Sequence, residues 1–279
     1  MKLASFKFDG IESFGIVEGD DVVDIGSQLK EFEDLDAFIA AGMPVGVSKS
    51  SARRIPYTNV EWLPVIRNPG KIFCIGLNYR DHVAESTFTE QEKPSIFTRF
   101  PSSHVGHLQP MVRPFVSDRF DFEGELAVII GKPGRHIDQS RWTEHIAGYS
   151  IYNDGSIRDW QHRTTQWMVG KNFDKSGSFG PWMTTADEVP DPNKLHMTTR
   201  LNGTVMQETG IDLMIFKIDY LIWYISTFCE LSVGDVIVTG TCAGVGHSRK
   251  PQVWMAPGDT IEVEISKIGI LKNAIVQEK

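Results

Sequence analysis

Short hydrophobic segments separated by turn-forming residues occupy the beginning of the chain. Residues 2–8, 13–17 and 21–25 are rich in valine, isoleucine and phenylalanine. Glycine and aspartate, which favour tight turns, separate these segments at residues 9–10 and 19–21. This pattern predicts a small β-meander.

A helix and an irregular stretch are predicted to follow the meander. The helix covers about residues 32–41 and ends at Gly42, whereas residues 44–70 are interrupted by several prolines. Because such prolines break regular structure, we place a domain boundary within this stretch. The sequence thus predicts a small N-terminal α/β domain over residues 1–65 and a larger domain over residues 66–279.

The larger domain is predicted to be mainly β. Hydrophobic runs of strand length recur at short spacing, and residues 212–228 form the one long helical pattern. Too few helices alternate with strands for a doubly wound parallel sheet, so the predicted fold class is α+β with mainly β structure. Residues 78–85 have helical character, and the predicted strands include residues 72–75, 96–100, 126–130, 146–152, 197–201, 236–239 and 260–265.

Composition and charge argue against several classes of protein. Hydrophobic residues make up 41% of the 279 residues and charged residues 23%, as in ordinary globular proteins. The net charge of −8 and the lack of a basic run argue against a nucleic-acid partner. The most apolar helical stretch, residues 213–228, contains Lys217 and Asp219 and is shorter than the roughly 20 residues that span a bilayer. We therefore expect no membrane association.

The N terminus and the cysteines favour the cytoplasm. Residues 1–7 contain no apolar core followed by a small-residue cleavage site, so no secretory signal is expected. The three cysteines, Cys74, Cys229 and Cys242, are too scattered for a disulfide framework or a zinc motif. A cytoplasmic protein fits these features best.

Three carboxylates are candidates for a metal site. Glu123 and Glu125 lie two positions apart at the start of a predicted strand, so their side chains share one face. Asp154 ends another predicted strand, where a loop can present a carboxylate into a shared cleft. Alternatively, the glutamates lie on a solvated strand end or pair with arginines, and Asp154 is a turn residue. Three oxygen ligands without a Cys or His cluster would suit Mg²⁺, Mn²⁺ or Ca²⁺ better than zinc or copper.

Nearby basic residues could complete such a site. Arg158 and Lys171 follow Asp154 closely and could attract an anionic substrate, although surface charge is the common alternative. His82 and Glu85 are three residues apart, so on a helix they would share a face. A carboxylate-oriented imidazole is a typical general base, but this spacing alone is a weak signal.

Residues 239–246 form a glycine-rich loop after a predicted strand. The backbone N–H groups of such a loop could approach a bound anion closely. The spacing matches neither of the two nucleotide-binding glycine motifs. Cys242 within the loop is interpreted as a packed thiol rather than a nucleophile, because the sequence implies no general base beside it other than His247.

In their order along the chain, these motifs resemble the fumarylacetoacetate hydrolase family over about residues 70–275. Residues 74–85, CIGLNYRDHVAE, resemble the lid motif of that family, and residues 122–129, FEGELAVI, resemble its first metal-ligand strand. Further matches are residues 148–154, Arg158-Asp159 and residues 170–174.

The resemblance implies a fold, a metal and a set of site residues. The fold would be a mixed β-sandwich roll that carries the active site, often in a homodimer, after a small N-terminal domain as in bacterial two-domain members. The metal would be Mg²⁺ or Mn²⁺, with Ca²⁺ as a further option. The implied metal ligands are Glu123, Glu125 and Asp154, the catalytic residues are His82, Glu85 and Lys171, and the substrate-binding residues are Arg158, Gln207, Thr241 and Tyr79.

Four positions depart from the usual pattern of the family. Cys242 stands where proline is usual, which leaves a backbone N–H and a less restricted φ in the loop. Arg99 stands where many members have lysine, and Gly155 and Ile157 stand where Val and Ala are more usual. These departures bear on the identity of the substrate rather than on the metal site.

The function implied by the resemblance is metal-dependent hydrolysis of a C–C bond in a small 2,4-dioxo acid, such as an acylpyruvate from aromatic catabolism. His82, polarised by Glu85, would take a proton from water, and Lys171 would stabilise the resulting oxyanion. Decarboxylation of a 2-oxo acid such as oxaloacetate and isomerisation of a 2-hydroxymuconate-type acid are alternatives on the same site. A non-catalytic ligand-binding relative is the remaining, more distant alternative.

Overall fold

A computed structural model describes residues 1–44, 51–86 and 89–279. The fold is mainly β with short helices, so the predicted fold class is confirmed. The helices are α1 Leu35–Ala40, α2 Arg80–Glu85, α3 Arg158–Gln161, α4 Met168–Lys171 and α5 Ile218–Phe228. The strands are β1 Lys2–Phe8, β2 Ile11–Glu18, β3 Asp21–Asp24, β4 Arg53–Pro56, β5 Glu61–Trp62, β6 Ile72–Gly76, β7 Ser95–Thr98, β8 His104–Val105, β9 Met111–Arg113, β10 Phe120–Asp121, β11 Gly124–Ile130, β12 Ile146–Asn153, β13 Ser156–Ile157, β14 Gly177–Thr185, β15 His196–Leu201, β16 Thr204–Gly210, β17 Val236–Val238, β18 Thr260–Ile265 and β19 Gly269–Gln277.

Most strands belong to one large mixed sheet. Within the described residues its order is β4-β3-β2-β1-β14-β12-β11-β17-β6-β7, with β5 beside β1 and β8 beside β14. The antiparallel strands β11 and β12 near its centre are buried along their whole length. Strands that are covered on both faces have hydrophobic residues at almost every position, as residues 126–130 do.

A second sheet and the longest helix cover one face of the large sheet. The second sheet has the order β16-β15-β18-β19-β9. Leu126 and Val128 of β11 share a buried hydrophobic cluster with Val263 of β18, Leu271 of β19 and Leu221 of α5. The two sheets therefore form a sandwich, with α5 closing part of the same core.

The opposite face of the large sheet packs against α1. Ala127 and Ile129 of β11 lie in a second hydrophobic cluster together with Leu3 of β1 and Phe38 of α1. Glu125 lies on this same face of β11, because side chains two residues apart point the same way. The face that carries this carboxylate thus continues into an apolar core.

The N-terminal strands are continuous with the large sheet. β1 pairs antiparallel with β14, with Leu3 opposite Met183. The second hydrophobic cluster includes residues from both sides of the predicted boundary between residues 65 and 66. The division into two domains stays a prediction. Residues on the two sides of the predicted boundary share one sheet and one hydrophobic core.

Residues 66–279 alone are expected to be unstable or aggregated. Removing residues 1–65 exposes the edge of β14 and the apolar surface that Leu3 and Phe38 now cover. Size-exclusion chromatography and thermal unfolding of this fragment, compared with the full chain, check the prediction. A monomeric fragment that unfolds cooperatively at the temperature of the full chain would contradict it and support two independent domains.

The predicted helix over residues 212–228 is wrong at its beginning. α5 starts at Ile218, because the side chain of Asn78 holds the preceding backbone: its Oδ1 accepts from Phe216 N at 2.7 Å and its Nδ2 donates to Phe216 O at 3.0 Å. Met214 forms an isolated bridge with Tyr79. These long-range contacts leave no periodic signal in the sequence.

The prediction also missed several strands. β4 and β5 lie within the stretch that was expected to be irregular, where β4 is the outer strand beside β3 and ends at Pro56, a position that tolerates proline. Residues 45–50 of that stretch lie outside the described residues. β14 contains Gly180 and Pro181, which suggest a turn, yet it pairs with both β1 and β12.

Candidate metal centre and active site

Two adjacent central strands bring the three candidate metal ligands together. In the antiparallel pair of β11 and β12, Gly124 lies opposite Asn153. Asp154 follows directly, and its backbone N donates to Glu123 O at 2.8 Å. Carboxylate oxygens of Glu123, Glu125 and Asp154 all lie within 4.8 Å of one another, and the three side chains are buried. Three oxygen donors at this spacing can hold a hard divalent cation.

Lys171 and Arg158 are buried partners of these carboxylates rather than surface charges. Lys171 Nζ lies 2.5 Å from Glu123 Oε2 and 2.6 Å from Asp154 Oδ2. Arg158 lies 2.7 Å from Glu123 Oε1 through Nη2 and 2.8 Å from Asp121 Oδ2 through Nε. Burial alone would lower the pKa of Lys171, but Asp154 and Glu123 outweigh it and the pKa is raised. Lys171 therefore stays charged and acts electrostatically, not as a base.

Arg99 is a further buried cation at the site, and sequence reasoning did not assign it a role. Its Nη1 donates to Asp154 Oδ1 at 2.5 Å and to Gly155 O at 3.0 Å. Its other two nitrogens donate to Ser103 and to Ser176 Oγ at distances of 2.9–3.0 Å. The guanidinium thus makes five hydrogen bonds, of which one holds the Asp154 carboxylate and four anchor the arginine itself. The only signal in the sequence was that arginine stands where many family members have lysine.

Replacing Arg99 with lysine is expected to lower the free energy of unfolding by about 2 kcal/mol, because an ammonium group cannot reproduce the five-donor fork and leaves buried acceptors unpaired. Urea denaturation measures the change. The matched substitution Arg53→Lys, at an exposed ion pair with Asp9, should change stability by no more than about 0.5 kcal/mol. Equal stability of the two variants would contradict the structural role given to Arg99.

Glu125 is the carboxylate whose environment most favours a bound cation. It forms no ion pair among the described residues, and its Oε2 accepts from Gly240 N at 2.5 Å. Burial, followed by the neighbouring Asp154 and Glu123 carboxylates, raises the pKa of Glu125 well above its usual value. A divalent cation held by the three carboxylates would offset this unfavourable charge. The donor set therefore fits the predicted hard metal ion.

His82 and Glu85 form a hydrogen-bonded pair on α2. His82 Nδ1 lies 2.8 Å from Glu85 Oε1, and Gly244 N donates to Glu85 Oε2 at 2.9 Å. With Nδ1 engaged, Nε2 is the ring nitrogen left to exchange a proton with a bound molecule. The pair has the geometry of an oriented general base.

The pair and the three carboxylates line the same cavity, which has a volume of about 330 Å³. This volume is at the small end of the range for small-molecule sites. Arg158, Lys171 and Thr241 also line it. Thr241 Oγ1 donates to Gly124 O at 2.8 Å, so the threonine joins the glycine-rich loop to β11.

Gln207 and Tyr79 are not among the described residues that line this cavity. Gln207 Oε1 accepts from Gly124 N at 3.0 Å, and its Nε2 donates to Thr241 Oγ1 at 2.8 Å and to Cys242 O at 3.0 Å. Tyr79 is 1% exposed and packs in the first hydrophobic cluster. Their substrate-binding roles stay predictions. In the structure Gln207 supports the wall of the site, and Tyr79 is part of the hydrophobic core.

The glycine-rich loop donates its N–H groups to protein carboxylates. The donors and acceptors are Gly240 N to Glu125, Gly244 N to Glu85, and Gly246 N and His247 N to Asp121. These bonds hold the loop against both the metal-site strand and α2, so the loop connects the two halves of the site.

Cys242 lies within this loop. Burial raises the pKa of its thiol to about 12, and Asp81 adds to the effect, which agrees with a packed thiol.

Aromatic and imidazole side chains also line the cavity, and the sequence motifs indicated none of them as facing a ligand. Phe97 and Trp167 form an aromatic wall with ring centroids 5.9 Å apart. His162 and His247 form a second pair with centroids 5.3 Å apart. Phe97 lies within β7, and Trp167, His162 and His247 lie outside the strands and α-helices. No spacing along the sequence relates these positions, so only the fold brings them to the cavity.

Residues 71–276 match the family described as fumarylacetoacetate (FAA) hydrolase C-terminal. The chain belongs to this family. It is 40% identical over 240 residues to the human mitochondrial oxaloacetate tautomerase FAHD2A, which covers 85% of this chain and 74% of the human protein. No helix among the described residues is long and apolar enough to cross a membrane.

Solved structures of other members have the same architecture. A fumarylacetoacetate hydrolase from psychrophilic Exiguobacterium antarcticum is 36% identical and superposes with a TM-score of 0.90 over all of both chains. A maleylpyruvate hydrolase from Sphingobium sp. SYK-6, solved in complex with manganese(II) and pyruvate, is 28% identical with a TM-score of 0.83, again over all of both chains. The family resemblance noted in the motifs is therefore confirmed.

Proposed function

We propose that this protein is a divalent-metal-dependent enzyme that acts on a small 2-oxo acid through its enol form, and that its reaction is keto–enol tautomerisation of oxaloacetate. The observation that supports this most is one cavity that combines three buried carboxylates with the His82–Glu85 pair. The 40% identity to a relative named as an oxaloacetate tautomerase favours this reaction over the C–C hydrolysis that the sequence motifs placed first.

The residues of this chain supply the proton transfer and the charge stabilisation. A metal ion held by Glu123, Glu125 and Asp154 would polarise the 2-oxo group. His82 Nε2 takes a proton from C3 of the keto form and returns it to the 2-oxygen, while Glu85 fixes the imidazole through Nδ1. Lys171 opposes the negative charge that develops on the substrate oxygen.

Hydrolysis of a 2,4-dioxo acid is the second candidate. The cavity has a volume of about 330 Å³, which is far larger than the roughly 30 Å³ that one water occupies. It therefore has room for the acyl chain of a 2,4-dioxo acid and for a nucleophilic water beside it. A structural neighbour named as a maleylpyruvate hydrolase was solved with pyruvate and manganese(II). In this reaction His82 would take its proton from water instead of from carbon.

Assays with oxaloacetate and with an acylpyruvate separate the candidates. Each substrate is incubated with Mg²⁺, with Mn²⁺ and with EDTA. Metal-dependent equilibration of the oxaloacetate enol, without CO₂ release, supports tautomerisation. Pyruvate formed from the acylpyruvate, with no reaction of oxaloacetate, supports hydrolysis. CO₂ released from oxaloacetate supports decarboxylation. Metal binding without any turnover would support the non-catalytic ligand-binding alternative.

We also infer the assembly, the location and the ion of this protein. The protein would be a homodimer in the cytoplasm, with no nucleic-acid or membrane partner and with Mg²⁺ or Mn²⁺ as the ion. The net charge of −8 supports the lack of a nucleic-acid partner. Light scattering of the purified protein tests the dimer, and a monomer at micromolar concentration would refute it.

A further inference from the structure

Two adjacent cations on the cavity wall have no acidic partner among the residues that the structure describes. Arg249 donates from Nε to Gly244 O at 3.0 Å and from Nη2 to Met206 O at 2.5 Å, so its hydrogen bonds go to backbone carbonyls. Neither Arg249 nor Lys250 forms an ion pair with a carboxylate in the described part of the chain, although both line the cavity. Their charges are therefore available to a bound anion.

The charges around the cavity show what kind of anion would balance them. Among the described lining residues, the carboxylates and the permanent cations are equal in number, so the metal-free wall is close to neutral. A divalent ion would leave an excess of two positive charges. Arg249 is partly buried and Lys250 is exposed, so a bound anion would pair cations that are only partly desolvated. The lining carboxylates are Glu85, Glu123, Glu125 and Asp154, and the lining cations are Arg158, Lys171, Arg249 and Lys250.

The histidine pair beside these cations does not change the balance near neutral pH. Burial, followed by Arg158 and His247, lowers the pKa of His162 to about 4. Burial and then Arg158 also lower the pKa of His247. Both rings are therefore neutral at pH 7, and they can serve as hydrogen-bonding groups.

The segment that carries the cations is held in place by the metal-site network. Asp121 accepts from Gly246 N at 2.7 Å and from His247 N at 2.9 Å. The same carboxylate pairs with Arg158, which in turn contacts Glu123. Asp121 is thus neutralised by Arg158 and remains unavailable to Arg249. These bonds fix the backbone just before Arg249, whose guanidinium is itself held by two backbone carbonyls, so Arg249 is preorganised at the cavity wall.

We propose that Arg249 and Lys250 bind a second carboxylate of the substrate, so that the site selects 2-oxo dicarboxylic acids over 2-oxo monoacids. This inference rests on the proposed function, because the first carboxylate and the 2-oxo group are assigned to the metal end of the cavity. A dianionic substrate matches the two positive charges that a divalent ion adds. Of the two residues, Lys250 is the better one to replace, because among the described residues its side chain makes no hydrogen bond to the loop that Arg249 supports.

Binding to a catalytically disabled protein tests this inference separately from the reaction. In a His82→Ala background loaded with Mn²⁺, calorimetry measures the affinities for 2-oxoglutarate and oxaloacetate and for their ω-amides, which lack the distal charge. We expect the diacids to bind about 10-fold or more tightly than the amides. Lys250→Gln should remove most of this preference, whereas Lys30→Gln, at an exposed lysine outside the cavity, should leave it unchanged.

Several results would overturn the inference. These are equal affinity for acid and amide, a preference that survives both Lys250→Gln and Arg249→Gln, and binding of neither ligand. Turnover of the unmodified protein decides the proposed function by itself. Tautomerisation of oxaloacetate with no acid–amide preference would therefore retain that function and reject the role of Arg249 and Lys250.

Discussion

Replacing Glu125 with glutamine is expected to weaken Mn²⁺ binding by about 100-fold or more and to abolish turnover, because an anionic ligand is lost from the centre itself. Glutamine has nearly the same shape and keeps an oxygen acceptor for Gly240 N. The loss would therefore report on charge and ligation rather than on packing. Calorimetric titration with Mn²⁺ measures the affinity, and the turnover assay is run on the same preparation.

The stability of the metal-free protein should move in the opposite direction. Burial and the adjacent carboxylates raise the pKa of Glu125, so an ionised Glu125 destabilises the folded state without a cation. A group with a raised folded-state pKa stabilises the fold below its unfolded pKa and loses that contribution as pH rises through the folded value. Glu125→Gln should thus unfold at an equal or higher temperature than the parent in EDTA at pH 8.

Glu230→Gln provides the control for both measurements. Glu230 is exposed and lies outside the cavity, so its neutralisation should change neither Mn²⁺ affinity nor the melting temperature in EDTA. Unchanged Mn²⁺ affinity in Glu125→Gln would remove this residue from the metal centre. Without it, two carboxylates already paired with Lys171 would remain, and the proposed chemistry would lack a suitable ion site.

The carboxylate cluster was largely predictable because its first half follows from a local rule. Side chains two residues apart on a strand share a face, which places Glu123 and Glu125 together. The third carboxylate depends on the pairing that sets Gly124 opposite Asn153, and this pairing joins residues about thirty positions apart. The position of Asp154 at the end of a predicted strand is equally typical of a turn residue, so the ordered family motifs were the stronger signal, since neither strand alone specifies its partner.

The partners of the cluster were harder to predict, because they depend on tertiary contacts. Arg99 reaches Asp154 from 55 residues away, and the sequence showed only that it replaces a more usual lysine. Gln207 was expected near the substrate but holds β11 against the glycine-rich loop. A motif can thus identify a residue as part of a site without showing whether it faces the ligand or supports the wall.

The errors in secondary structure have a similar origin. The helical pattern begins before Ile218, but two hydrogen bonds between the Asn78 side chain and the backbone of Phe216, one donated and one accepted by Asn78, keep Phe216 outside the helix. β14 contains glycine and proline, yet pairing on both sides keeps it a strand. Local propensity is a weak preference, and distant partners overrode it in both places.

Replacing His82 with alanine is expected to lower kcat by about 1,000-fold while leaving Mn²⁺ affinity unchanged, because the general base is lost and the three carboxylates remain. Glu85→Gln should have a smaller effect, about 10-fold, since glutamine can still accept from Gly244 N but no longer stabilises a protonated imidazole. Steady-state assays and calorimetric Mn²⁺ titration are made on both variants.

A second histidine–glutamate pair in the same chain provides a matched control. His196 Nε2 lies 3.1 Å from Glu208 Oε1 on the exposed surface of the second sheet, outside the cavity. His196→Ala should retain full turnover, which would attribute the loss in His82→Ala to the cavity rather than to the removal of any paired imidazole. If His82→Ala instead turned over at the parental rate with Mn²⁺ bound, the base would have to be another group. His162 and His247 would then be the first residues to replace, because they are the other described histidines on the cavity wall.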